Sequence, residues 1–233
     1  GRVKGGWRGE GTVALTTVDP LVFAGKEKAI GDVRLAREGD RVVFSAHVKD
    51  ASPLVNVSGD LGAVFKGGDA VGFEVGPAEA AAKLESIPER RPTGRYLGFV
   101  RILAARMGGK DKVVAFKPFT DGAKRPLAFE TPAAGVSAFE YVGEVPGATV
   151  AFAVDPDGQG YRASISVPAD FFELDFAQPV AFEAEALLSG QGQRGVGTVE
   201  RCYLNSPDSS ATTMTDDVPT ESRLYPKGWK ILK

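Results

Sequence analysis

Reactive and ligating side chains are scarce in this chain: 233 residues carry one cysteine, one histidine and two methionines. With Cys202 alone, no intrachain disulfide can form. With His47 alone, a metal centre built on several histidines is excluded, and a Ser-His-Asp triad or a Cys-His pair would depend on that one residue. No apolar run approaches the length of a membrane-spanning helix. No G-x-S-x-G, P-loop or dinucleotide fingerprint occurs. An excess of charge of either sign is missing as well. The 28 basic and 30 acidic residues leave a net charge of -2, which argues against a nucleic-acid partner. No leader segment is recognisable from Gly1 onward, and the compartment stays open on that count.

What the chain has in quantity is alternation. Hydrophobic residues make up 43 % of it, enough for a full core. VVFSAHVK (42–49), KVVAFKPF (112–119), TVAFAV (149–154), YRASISV (161–167) and VERCYL (199–204) all read as strands, with a further strand near 12–17. YLGFVRILA (96–104) is apolar on both faces, as in a strand covered on both sides. VAFEAEALL (180–188) sets Val180, Phe182, Ala184, Ala186 and Leu188 against Ala181, Glu183, Glu185 and Leu187. Glu183 and Glu185 are therefore expected on a solvated outer face rather than as a catalytic pair. MGGKD and DPDGQG punctuate the strands as hairpin turns. Helix is limited to a short segment in 77–86 and one turn in 168–174. The pattern predicts an all-β fold, an antiparallel β-sandwich of about ten strands with one or two short helices, as a single domain over residues 1–233. Segments 10–28 and 205–233 are expected to close the ends of the sheets.

The order of several short motifs resembles a known family. An alternating strand ends in V-K-D, followed by SPLVN and then by FKGGDAV opening a strand. A G-Y-x-A-x-I-x-V-P strand comes later, and the chain closes with R-C-Y-L-N-S and D-D-V-P-T-E-S-R-L-Y-P-K-G-W. This order is similar to that of the family-nine carbohydrate-binding modules and their wider relatives in the DOMON superfamily, over about residues 30 to 230. The resemblance implies a sandwich of roughly ten strands that binds polysaccharide or oligosaccharide without catalysis. It also implies that structural calcium is possible, that no organic cofactor is expected, and that the setting is extracellular or periplasmic, within a larger exported protein. A branch of the superfamily binds haem and transfers electrons. The chain departs from the sugar-binding pattern at Gly72, where an acidic residue is usual.

The candidate ligand residues follow from what a sugar needs: flat rings for its C–H face and polar groups for its hydroxyls. They are Trp229, Tyr225, Tyr203, Phe65 and Arg223, with Trp7, Asn205, Asp69 and Glu221 as further candidates. The competing reading packs Trp229 and Tyr225 into the core. The metal candidates are Asp50, Asn56 and Asp69, which a sandwich would place at the same end of adjacent strands. Their alternative role is to cap loops by hydrogen bonding. Ser52 joins that cluster, and D-P-D-G at 155–158 is a weaker metal candidate that reads first as a plain hairpin turn. Haem ligation would require His47 with Met107 or Met214. Two functional alternatives to a sugar-binding module thus stand open: a module that packs against other domains of its parent polypeptide, and a haem-binding electron-transfer domain.

Overall fold

The computed structural model describes residues 8–18, 26–52, 54–84, 97–118, 127–132, 135–192, 195–205 and 222–232, with the backbone alone for 8–32 and 192. Among these residues the chain forms thirteen strands. They are β1 (Arg8–Val18), β2 (Lys26–Glu38), β3 (Arg41–Val48), β4 (Ala70–Pro77), β5 (Val100–Met107), β6 (Lys110–Pro118) and β7 (Leu127–Thr131). Then follow β8 (Gly135–Glu144), β9 (Thr149–Val154), β10 (Tyr161–Pro168), β11 (Val180–Gly192), β12 (Gly195–Tyr203) and β13 (Lys230–Leu232). The helix is reduced to α1 (Ala78–Ala81), with single 3-10 turns at Leu61–Ala63 and Ala169–Phe172.

The strands pair in the order β7-β8-β6-β5-β4-β11-β12-β1-β2-β3-β10-β9, with β13 beside β11. Each of these pairings is antiparallel. Local chemistry sets the hairpins. Gly108 and Gly109 join β5 to β6 with φ of 56° and 77°, the double positive φ that suits the right-handed twist of a two-residue hairpin. Asp155 closes the β9–β10 turn, accepting at its carbonyl from Gly158 N and donating its own N–H to Gly160 O. The D-P-D-G segment is thus a hairpin turn.

The long sheet curls so that its two arms face each other across one core. Val42, Phe44 and Val48 of β3 and Ala163, Ile165 and Val167 of β10 point inward from one arm. Phe73 of β4, Ile102 of β5 and Phe182 of β11 point inward from the other. The Phe44 and Phe73 rings stack at 5.1 Å, which joins the two layers directly. The result is a curled all-β sandwich. A second apolar cluster lies on the opposite face of the β4-β5-β6-β11 arm, built from Phe65, Phe99, Leu103, Phe116, Phe139, Leu187, Leu224 and Trp229. That arm is therefore buried on both faces, as the unbroken apolar pattern of 96–104 requires.

Two expectations change. The segment from Glu10 to Lys28 does not close an end of the sandwich: β1 runs in the middle of the sheet, between β12 and β2. The tail contributes β13, which adds to β11 at Val180–Phe182 instead of only wrapping the surface. Residues 206–221 lie outside the described residues.

The stacked Phe44–Phe73 contact gives a direct test. Phe73 is fully buried, so Phe73→Ala is expected to cost about 3–5 kcal/mol by urea denaturation, as for other large core truncations.

Candidate functional site

Three groups of residues have a claim on function, and the first surrounds Asp69. This carboxylate is fully buried at the start of β4. Its Oδ1 accepts from Ser189 N at 2.6 Å, and its Oδ2 accepts from Val55 N at 2.9 Å and Ser189 Oγ at 3.0 Å. Ser189 Oγ also lies 3.1 Å from Ser52 Oγ, which donates to Asp50 Oδ2 at 2.6 Å. Asn56 uses its amide N–H groups on Val64 O and on the backbone carbonyl of Asp69, and its Oδ1 accepts from Ser58 N. The fold thus brings Asp50, Asn56 and Asp69 together, as a hydrogen-bonded pin that ties the 50–69 loop to β11. Burial pushes the Asp69 carboxyl up to about 6, and the hydrogen bonds from Val55 and Ser189 oppose that rise. The donor set does not fit a calcium cage: N–H and O–H groups point at both Asp69 oxygens, and Asn56 presents N–H rather than oxygen toward Asp69. No cluster of three or more His, Cys, Asp or Glu side chains disposed to hold a metal occurs among the described residues.

The second group is one that sequence reasoning missed. Glu183 and Glu185 are not on a solvated face; both are buried, together with Glu74 and Arg101. Strand register explains the assembly. Glu183, Glu74, Arg101 and Phe116 form one row across β11, β4, β5 and β6. Glu185 sits in the next row, opposite Gly72. A Cβ at Gly72 would lie 1.8 Å from Ile102 O, so only glycine fits there. Arg101 reaches diagonally to Glu185 and holds it through Nε and an Nη, both at 2.6 Å. Its Nε lies 3.5 Å from Glu74 Oε1. The guanidinium also lies over the rings of Phe65 and Phe116, 5.5 and 5.9 Å from their centroids. Burial would lower the Arg101 pKa, but the charge of Glu185 and the hydrogen bonds to it outweigh that effect and raise it. Burial drives the Glu74 carboxyl well above the usual carboxylate range, reinforced by the charge of Glu185. Glu183 is pushed up to about 8 by burial, against hydrogen bonds from Asn205, Ala184 and Leu204. Its Oε1 accepts from Asn205 N at 2.9 Å, which anchors the chain as it leaves β12. The readable signal was a lone Arg inside an apolar run and a lone Glu in FEV, since charges in doubly buried strands survive only when paired.

The predicted ligand residues are dispersed. Trp229 is 6 % exposed and packs against Phe99 with ring centroids 6.2 Å apart. Phe65 is 1 % exposed, between Phe116 and Phe129. Tyr203 is buried on β12 opposite Glu185. These three rings therefore have no face for a sugar, and the packing reading of Trp229 is the one the fold adopts. Arg223 is half-buried and bonds Ser137 Oγ and Val136 O of β8, while Tyr225 is half-buried nearby in sequence. Trp7 and Glu221 lie outside the described residues, as does Met214. Of the two haem pairs, His47 with Met107 is not assembled: His47 is on the outer face of β3, and Met107 is buried in the second cluster on the other arm. Cys202 points into the core, away from His47.

The third group is an open pocket of about 510 Å³ at one end of the sandwich. The β2–β3 hairpin supplies Arg37, Asp40 and Arg41, and the loop after β10 supplies Pro168, Ala169, Asp170, Leu174, Asp175 and Phe176. Backbone bonding joins the two segments, with Ala169 N donating to Asp40 O at 2.8 Å. The Arg37 guanidinium lies 5.7 Å from the centroid of the Phe176 ring. Arg41 is fixed by Ser166 Oγ, Ser166 O and Gly147 O at 2.6–2.9 Å. Two guanidiniums, Arg37 and Arg41, and three carboxylates, Asp40, Asp170 and Asp175, line it together with apolar side chains.

The comparisons with known proteins add a fold-level likeness. A carbohydrate-binding module of family 9 from Caldicellulosiruptor kristjanssonii, solved in complex with cellotriose, is similar to this chain. The likeness covers 93 % of this chain and 83 % of that one, at 11 % identity and a TM-score of 0.43. At that identity and score, nothing about ligands passes from that module to this chain. No family model and no curated protein matches the chain.

The buried carboxylates predict a pH dependence. Glu183 ionises at 4.5 when unperturbed and at about 8 in the fold, so the folded state holds a proton that the unfolded chain has released. Its stabilising contribution is complete below pH 4.5 and is lost as pH rises toward 8. Glu74 and Asp69 act in the same direction. Urea midpoints are expected to fall across that window. Glu183→Gln, which keeps an acceptor for Asn205 and Ala184, should flatten the decline and raise the midpoint at the alkaline end.

Proposed function

We propose that this chain is a non-catalytic carbohydrate-binding module whose ligand site is the end pocket between the β2–β3 hairpin and the loop after β10. The observation that carries the reading is the chemistry of that pocket. Leu174 and Pro168, both half-buried, give it apolar surface for the C–H side of a sugar ring, and Arg37, Asp40, Asp170 and Asp175 line it with charge. Neighbouring sugar hydroxyls each offer a donor and an acceptor, and a lining that holds both guanidinium and carboxylate groups meets both. The volume lies in the range of small-ligand sites, a few hundred to about 1,000 Å³. A non-catalytic role is supported by Glu183 and Glu185, the carboxylate pair of one strand face, which are buried on an ion pair and on backbone N–H groups, out of reach of a substrate. An extracellular or periplasmic setting, where polysaccharide is met, belongs to the same proposal.

A specific observation also favours a second reading, a module that packs against other domains of its parent polypeptide. Three of the five aromatic and basic residues expected to hold a sugar are in the core.

A glycan array with the folded domain separates the two. The binding module is expected to retain one class of neutral oligosaccharide. Arg37→Ala and Asp170→Ala, both at the pocket rim, should each weaken that binding at least about tenfold, roughly 1.4 kcal/mol, with little change in melting temperature. A blank array with well-folded protein would transfer the weight to the packing module.

A further inference from the structure

The long sheet ends at β9 on one side. Among the described residues β9 pairs with β10 alone, from Thr149 opposite Ser166 to Val154 opposite Tyr161, without a break in register. Alternate residues of an antiparallel strand turn their N–H and C=O groups to opposite sides, so half of those groups in β9 face away from β10. The devices that normally blunt such an edge are absent from the strand: TVAFAV holds no charge, no proline and no bulge. Its core face is already covered. Val150 and Phe152 pack against the core, Phe152 meets Tyr161 edge-on at 5.9 Å, and the Arg106 guanidinium lies 5.8 Å from the Phe152 centroid. On the other face Thr149, Ala151 and Ala153 are exposed, and Val154 at the strand end is 59 % exposed.

We infer that β9 pairs antiparallel with β9 of a second copy of this chain, extending the sheet across a two-fold axis at Phe152. The sequence of the edge argues for that occupant. VAFAV, residues 150–154, reads the same in both directions about Phe152. Antiparallel pairing on that centre sets Val150 against the partner's Val154, Ala151 against the partner's Ala153, and Phe152 against the partner's Phe152. Every opposed pair then shares a face and matches in kind, and each exposed Val154 gains an apolar neighbour. Asp155, the charged residue that follows the strand, falls opposite the partner's Thr149, so no like charges meet. A two-fold contact of this kind uses one patch on both copies and closes on itself. A single short strand from each copy is a small interface against the roughly 800 Å² per partner of a stable complex, so the dimer is a weak one that forms at high protein concentration. The inference uses none of the residues of the end pocket and stands independently of the sugar reading.

The test is sedimentation equilibrium of the full chain, from low micromolar to near-millimolar concentration. The mass should rise with concentration from 24.5 kDa toward twice that value. Two double variants probe the edge: Ala151→Lys with Ala153→Lys, and Ala151→Glu with Ala153→Glu. Each sets like charges opposite each other and should weaken dimerisation at least about tenfold. An equimolar mixture of the two sets lysine opposite glutamate and should restore the dimer. Both positions are exposed, and circular dichroism melts check that each variant is folded. Three results would overturn the proposal: a mass of 24.5 kDa at every concentration, undiminished dimerisation of either folded variant, or a mixture that stays monomeric. The first would leave the β9 edge to a strand of a different polypeptide.

Discussion

The ion pair between Arg101 and Glu185 is the constraint around which the rest of the molecule is arranged. A guanidinium and a carboxylate at 2.6 Å inside a sheet are stable only if water stays out and the remaining polar atoms are satisfied. The face they share must therefore be covered. The 50–69 loop supplies Phe65, α1 supplies Ala81, and the tail supplies Leu224 and Trp229. The aromatic residues that would otherwise suit a sugar are used for this purpose. Burying the pair and displaying Trp229 are competing demands on the same tail, and the fold meets the first.

The Asp69 pin has a related role at the neighbouring end of the arm. Removing its carboxylate would leave the N–H groups of Val55 and Ser189 buried without partners, a costlier outcome than losing a surface contact. Its rise to about 6 and that of Glu183 to about 8 have one cause, desolvation. Both groups therefore favour the fold more under acidic conditions. The proposed ligand pocket lies apart from both, bordered by a hairpin and a loop.

Much of the architecture was legible because a strand repeats every two residues. The inward sets of β3, β10 and β11 can be read directly from VVFSAHVK, YRASISV and VAFEAEALL. Turn chemistry was equally local, as Gly108 and Gly109 show. Asp50, Asn56 and Asp69 do come together, but not as ends of adjacent strands: β3 and β4 are not neighbours in the sheet, and the 50–69 loop and Ser189 of β11 make the link. What failed was the assignment of faces. Alternation separates two sides of a strand but does not say whether the second side meets water or another layer, so Glu183 and Glu185 were placed in solvent.

By itself, then, the amino-acid sequence determined the strands, the turns and the side each residue takes, because these depend on backbone geometry and nearest neighbours. Only the tertiary structure decided which side is dry and which distant residues meet. Gly72 shows the difference. In the sequence it is a missing acid, and in the fold it is the point where the backbone of β5 comes too close for any side chain. Likewise Arg37 and Phe176, far apart along the chain, form one pocket because the β2–β3 hairpin and the loop after β10 end at the same edge of the sandwich. Contacts of that kind depend on the order in which strands pair, and local periodicity carries no record of it.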